Sequence, residues 1–237
     1  MYGSSAAIDA RIAALAGRLV GRDADVVLFP PVPYLSLVVA HARRIGASVG
    51  AQNIHPEREG AFTGEVAAEM IRDLGGDYAL VGHSERRRWF AEDDGCVAAK
   101  FGAARRAGLT PVLCVGETLA EREAGEAVEV VQRQIGAVID QHGIRALGAG
   151  VIAYEPVWAI GTGLTAKPED AQAMHAGIRA WIAGQDGSVA AALRILYGGS
   201  VDERNAGELM AQTDVDGLLV GGASLDARRL VAIYDAV

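Results

Sequence analysis

A chain of 237 residues that is 51% hydrophobic holds enough apolar material for one substantial core, and α/β barrels of this size fold as one domain. Its formal net charge of −8 argues against a nucleic-acid or membrane-surface partner, since both call for a basic face. An anionic substrate remains compatible, because backbone amides and helix N-termini bind phosphate locally.

Short β-branched runs alternate with longer helical stretches, a pattern that predicts βα units feeding a parallel sheet. The chain opens on a helix, Ala6–Val20, followed by strand Asp25–Phe29, helix Tyr34–Arg44 and strand Ala47–Gln52. Helix Gly64–Leu74, strand Tyr78–Val81, helix Gly95–Arg106, strand Pro111–Val115 and helix Leu119–Asp140 come next. Strand Val151–Tyr154, helix Glu169–Ala183, strand Leu193–Tyr197, helix Asp202–Ala211, strand Gly217–Val220 and helix Leu225–Tyr234 complete the order. Most strands are continuous apolar runs, as expected where both faces are covered. Pro168 precedes an acidic first turn, and Ser200 and Ser224 stand near helix starts as candidate caps. No linker or charge block divides residues 1–237, so a single domain is expected. A closed (β/α)8 barrel begins with a strand, whereas this pattern has about eight helices and seven strands. The expected fold is therefore α/β, a (β/α)8 barrel without its first strand. The two cysteines, Cys96 and Cys114, lie among apolar neighbours, match no zinc spacing and read as reduced thiols. With no export signal and no apolar run that spans a bilayer, a soluble, cytoplasmic chain is expected.

Three kinds of segment are able to carry chemistry. Strand Val151–Tyr154 runs into Glu155 and Pro156. The proline holds Glu155 extended, so its side chain is expected to point outward from the strand end, which is the active-site face of a barrel. A glutamate there, with apolar neighbours to raise its pKa, suits proton abstraction from carbon. Gly161-Thr162-Gly163 can hinge, with Trp158 and Ile160 closing over the site. A solvated glutamate beside an ordinary loop explains that segment alone equally well. His83 ends the strand Tyr78–Val81 and precedes Ser84 and a short helix. A helix N-terminus disfavours imidazolium, so a neutral ring donating to a substrate carbonyl is expected, although a structural histidine is the commoner occupant of such a position. Glu85 and Arg86 read as an ion-pair network or a subunit contact. Tyr197-Gly198-Gly199-Ser200 and Gly221-Gly222-Ala223-Ser224 each follow a strand and are expected to open a helix, so that their amides face an anion. Cys114 and Glu117 follow strand Pro111–Val115, and Cys114 reads as core packing.

The order GHSERR, CVGE, YEPVWAIGTG, YGGS and VGG resembles the triosephosphate isomerase family from about Gly50 onward, with Gln52-Asn53 and Gly60–Glu65 matching its third loop. The resemblance implies interconversion of dihydroxyacetone phosphate and glyceraldehyde 3-phosphate through an enediolate, with no metal or organic cofactor. Glu155 is then the base and His83 the electrophile. Gly161, Ser200, Gly221 and Gly222 supply phosphate-binding amides, and Pro156, Val157, Trp158, Ala159, Ile160, Gly161, Thr162 and Gly163 form a lid. It further implies a role in glycolysis and gluconeogenesis, and a homodimer in which the loop around Thr63 reaches the partner, with Glu65 and Arg86 as candidates for a pairing across the contact. Another phosphate-binding barrel enzyme leaves the joint presence of GHSERR and YEPVWAIGTG unexplained.

The family's first strand ends in an Asn-Trp-Lys-Met segment whose Asn and Lys face the substrate. Met1 aligns with that methionine, and Tyr2-Gly3-Ser4 continue the pattern. Lys100, placed mid-helix, and Lys167, beyond the lid, are not positioned to replace the lysine. The expectation is a start upstream of Met1. The alternative is a catalytically inactive barrel that at most binds phosphate ligands.

Overall fold

The computed structural model describes residues 1–19, 24–160 and 166–237. Seven strands form one all-parallel sheet in sequential order. They are β1 (Val26–Leu28), β2 (Ala47–Ala51), β3 (Tyr78–Val81), β4 (Thr110–Val115), β5 (Val151–Tyr154), β6 (Arg194–Tyr197) and β7 (Gly217–Leu218). Twelve α-helices are present among the described residues. The first six are α1 (Ser5–Leu15), α2 (Leu35–Ala42), α3 (Ala68–Asp73), α4 (Ser84–Phe90), α5 (Asp94–Arg106) and α6 (Leu119–Glu123). The others are α7 (Ala127–His142), α8 (Ile144–Leu147), α9 (Pro168–Ala183), α10 (Gly187–Ala192), α11 (Ala206–Met210) and α12 (Ala227–Asp235).

Strand alternation divides the apolar residues between two cores. Leu80, Val112, Cys114 and Ala153 make an inner cluster, joined by Leu196 and, from beyond the two end strands, by Phe29 and Leu219. That Phe29 and Leu219 reach one cluster shows that the sheet is curled. The alternate residues Ala79, Val81, Leu113, Val115, Ile152, Tyr154, Ile195 and Tyr197 meet the helices in a larger outer core. Helix α7 shows the logic, burying Val131, Ile135 and Val138 on one stripe. Each such side chain contributes roughly 1.5–3 kcal/mol of burial. Between β7 and β1 the described residues form no strand pairing, while α1 packs against both α2 and α12 across that seam. The strand ends follow the sequence pattern to within one residue, except that β7 stops at Leu218 rather than Val220.

The helices differ more. The expected helix Leu119–Asp140 is two helices, because Gly125 turns left-handed at φ 79° and ends α6. A capping box between Thr118 and Glu121 starts α6. The expected helix Gly64–Leu74 is confined to Ala68–Asp73, because a turn at Thr63 and Gly64 leads into a short non-helical stretch that ends in a bridge from Ala67 to His55. Ser200 and Ser224 cap nothing. The Ser200 hydroxyl donates to the Ala159 carbonyl and the Ser224 hydroxyl to the Gly221 carbonyl, both at 2.6 Å. Asp226 caps α12 instead, and a turn built on Asp202 and Asn205 delays α11 to Ala206. Neither glycine cluster therefore opens an α-helix directly; Gly222–Leu225 is a single 3-10 turn. Of the expected first helix, Val20 lies outside the described residues.

Candidate active site

The carboxyl ends of β3, β4 and β5 build the site. Gly82 follows β3 at φ 73°, where a side chain would be strained, and a Cβ there would come within 2.7 Å of Val97. This turn delivers His83 as the N-cap of α4, its Nδ1 accepting from the Glu85 amide at 3.2 Å. A lone pair at Nδ1 leaves the ring's proton on Nε2. The Nε2 atom lies 2.9 Å from Glu155 Oε1, and the Ser84 amide donates to Glu155 Oε2 at 2.8 Å. The carboxylate is thus held through both oxygens, one by the imidazole and one by the first amide of a helix.

Glu155 is only 2% exposed. Its side chain stands at the strand end, where both oxygens meet polar donors, the His83 ring and the Ser84 amide. Burial acts to lower the pKa of His83, but the hydrogen bond and charge of Glu155 outweigh it, so the ring takes up a second proton more readily than an ordinary histidine. The carboxylate therefore pulls against the helix-start effect that favours a neutral ring.

The segment after Glu155 is anchored by Glu117, a fully buried carboxylate just beyond β4. Glu117 Oε1 accepts from Tyr154 Oη at 3.1 Å and from Trp158 Nε1 at 2.7 Å. Arg122 reaches the same oxygen and stacks on the Trp158 ring. Burial and the Glu117 charge together raise the pKa of Tyr154. Of the expected lid, Pro156, Val157, Trp158, Ala159 and Ile160 are seen, with Val157–Ala159 in a 3-10 turn. Gly161, Thr162 and Gly163 lie outside the described residues, so the amide of Gly161 is not placed.

The YGGS loop abuts the glutamate. The Gly198 amide donates to the Tyr154 carbonyl at 2.7 Å, and a Cβ on Gly198 would lie 3.0 Å from Glu155 Cγ. Ser200 ties this loop to Ala159. Gly221 and Gly222 are exposed with open space around them, and their loop follows β7. The structure thus brings Glu155 and His83 together across the end of β4 and ties Ser200 to the segment that follows Glu155.

The three interface candidates stand apart from that group. Thr63 and Glu65 are exposed on the loop before α3, next to Phe62. Arg86 is engaged within the chain, with Nε 2.5 Å from Glu92 Oε1. The same oxygen meets Lys100, which also donates to Asn53 at 2.7 Å. The ion-pair network expected at Arg86 is present, therefore, and it also contains the mid-helix lysine. Cys114 is buried in the inner core, as expected. Cys96, in contrast, is partly exposed on α5 beside the charged groups Lys100, Glu92 and Asp93.

Glu117 was visible in the sequence as the end of CVGE, although nothing there showed that it would hold both the strand-end Tyr154 and Trp158. The Ser84 amide carries no side-chain signal at all.

A curled parallel α/β sheet with a carboxylate–imidazole pair at its carboxyl edge defines a TIM-type barrel enzyme. The comparisons specify it further. The chain belongs to the triosephosphate isomerase family, whose profile matches residues 1–237. It is 55% identical over 236 residues to triosephosphate isomerase of Thiobacillus denitrificans, covering 100% of this chain and 94% of that protein. The enzyme of Pseudomonas entomophila is 50% identical over 238 residues, again with 100% and 94% covered. That of Dechloromonas aromatica is 54% identical over 212 residues, or 90% of this chain and 85% of the relative.

Proposed function

We propose that this chain interconverts dihydroxyacetone phosphate and glyceraldehyde 3-phosphate. The observation that carries the reading is the Glu155–His83 pair, assembled from two strands and buttressed by the Ser84 amide. The Glu155 carboxylate accepts a proton from the carbon beside the substrate carbonyl, while His83 Nε2–H, released from Glu155, hydrogen-bonds the carbonyl oxygen as it gains charge. His83 gives its Nε2 proton to that oxygen and takes one from the neighbouring hydroxyl, and return of the carbon-bound proton from Glu155 to the adjacent carbon completes the isomerisation, with no net redox change. The open backbone at Gly221 and Gly222, with Ser200 and Gly161, is assigned to the substrate phosphate. Residues 156–163 serve as the lid. The base, the imidazole and the amides suffice without a metal or organic cofactor.

Family membership supports a cytoplasmic enzyme of glycolysis and gluconeogenesis. No helix among the described residues is long and apolar enough to cross a membrane. A homodimer is supported by the exposed Phe62, Trp89 and Phe90, which lie close in sequence to Thr63, Glu65 and Arg86. Among the described residues the edges of β1 and β7 are unpaired, with α1 packed against α12 outside them, and this supports the finer reading that one barrel strand is missing at that seam, beneath the helices. The same seam is the one observation in favour of an inactive, phosphate-binding barrel. Against that alternative stand the assembled catalytic pair and the full-chain matches.

The test is isomerisation of glyceraldehyde 3-phosphate by the wild type and by E155Q. Loss of the base should lower kcat by about 10³-fold. No turnover by folded wild type, with phosphate still protecting it against unfolding, selects the inactive alternative. An E155Q variant as fast as wild type removes Glu155 from the mechanism.

A further inference from the structure

Gly116, the residue after β4, lies hard against the backbone of Glu155. A Cβ built on it would fall 1.7 Å from the Glu155 carbonyl oxygen and 2.6 Å from its carbonyl carbon. The preceding residue accepts the Glu155 amide, with Glu155 N donating to the Val115 carbonyl at 2.7 Å. The base is therefore seated on the Val115–Gly116 peptide, and the orientation of that peptide fixes where the Glu155 side chain begins.

The β4–β5 register ends at Val115 and Tyr154, so Gly116 stands past the last ladder pair. Its backbone is satisfied from elsewhere. Gln134, two turns into α7, places its amide against both polar groups of this one residue. The Gly116 N–H donates to Gln134 Oε1 at 2.8 Å, and Gln134 Nε2 donates to the Gly116 carbonyl at 3.2 Å. Gln134 is only 6% exposed on the buried stripe of α7, between Val131 and Ile135. A long polar side chain in that stripe bears a desolvation cost that an aliphatic residue would avoid. Here both of its polar atoms are spent on Gly116.

We propose that Gln134 is a positioning residue for the base: its amide substitutes for the missing strand partner of Gly116 and so fixes the peptide on which Glu155 sits. The inference rests on Glu155 acting as the base. It concerns the placement of the carboxylate and not substrate affinity, because Gln134 lies on α7, which packs on β4, whereas the glycine loops assigned to phosphate follow β6 and β7. A loosened seat displaces the carboxylate from the carbon it must reach, and displacements of about 1 Å are costly to the chemical step.

The experiment uses the full chain as wild type, Q134M and Q134E, with thermal midpoints, kcat, KM, and the NMR titration of the His83 ring in the unliganded protein. Q134M retains volume and removes both hydrogen bonds. Its kcat is expected to fall about tenfold. Its KM stays within about twofold, and its His83 titration moves toward that of an ordinary histidine as Glu155 leaves its 2.9 Å contact. Q134E, protonated in this buried setting, presents one acceptor and one donor to Gly116 and should restore both readouts. A Q134M variant with unchanged kcat and unchanged His83 titration overturns the proposal, as does a Q134E variant as impaired as Q134M. If Q134M does not fold, Q134N replaces it: one methylene shorter, it spans only one of the two Gly116 groups and must show the same loss. The His83 titration separates the two claims. A wild type that is inactive, with a His83 titration that still shifts in Q134M, leaves the positioning intact and removes the isomerase reading.

Discussion

His175 sets a pH limit on the fold that a single substitution should remove. The ring is fully buried on α9, edge-on to Tyr154 at 5.9 Å between centroids and tilted against Tyr197 at 6.4 Å. Its Nδ1 faces the Asp214 carbonyl at 3.2 Å, and Arg179, Asp214 and Asp216 are the charged groups around it. Burial lowers its pKa from 6.5 to about 4, against the opposing pull of the Asp214 carbonyl. Between those two values the unfolded chain binds a proton that the folded chain refuses, so stability falls as pH drops from 6.5 toward 4. The linkage relation gives a loss of about 2 kcal/mol by pH 5, relative to neutral pH. For a domain stable by about 5–15 kcal/mol this is a large fraction. His83 acts in the opposite sense: its folded pKa is raised, so its contribution is complete below 6.5 and is lost as pH rises through the folded value. Wild type alone therefore mixes two slopes, and the difference between variants isolates one. Urea unfolding of wild type and H175Q at pH 7.5, 6 and 5 should show wild type losing about 2 kcal/mol more than the variant between the extremes. Parallel losses in the two proteins would refute the argument that a buried neutral imidazole controls acid stability.

Two further substitutions test a buried ion-pair network and the close approach at Gly116. K100M leaves the Glu92 carboxylate buried with Arg86 as its remaining charge partner, and a cost of about 3 kcal/mol is expected in urea unfolding; a loss below about 1 kcal/mol would mean that Arg86 alone compensates the charge. G116A forces the β4 end and Glu155 apart by more than about 1 Å, with a cost of about 1–3 kcal/mol in stability and a fall in kcat at unchanged folding. Full kcat in a folded G116A would show that the base tolerates a displaced seat.

The strands were legible because a parallel strand covered on both faces is a short apolar run bounded by turns, and each such run in this chain became a strand. The helices were less so. Residues 119–140 keep an apolar rhythm through Gly125, and a glycine in a helical pattern reads as tolerable until its φ is known. Ser200 looked like a cap from its place before a helix. Whether a hydroxyl caps a helix or bonds a distant carbonyl depends on Ala159, 41 residues earlier, and local spacing holds no record of that contact.

The same reasoning explains why the candidate site residues could be picked out while their geometry could not. Glu155, His83 and the glycine loops announce themselves because each chemical group must stand at a strand end, next to a residue of special backbone freedom. The groups that place them answer to no such rule. Gln134 sits inside an ordinary amphipathic helix, where its only mark is a polar residue among Val130, Val131 and Ile135 on the buried face. Lys100 is another such mark, 3% exposed on α5 and spent on Glu92 and Asn53. A long polar side chain on the buried face of a helix has a desolvation cost to offset, so it points to a partner on the element beneath. For Gln134 the element beneath is the end of β4. Polar breaks in the buried stripes of the outer helices are therefore where the residues that hold an active site in place are to be sought, even when the sequence gives no motif for them.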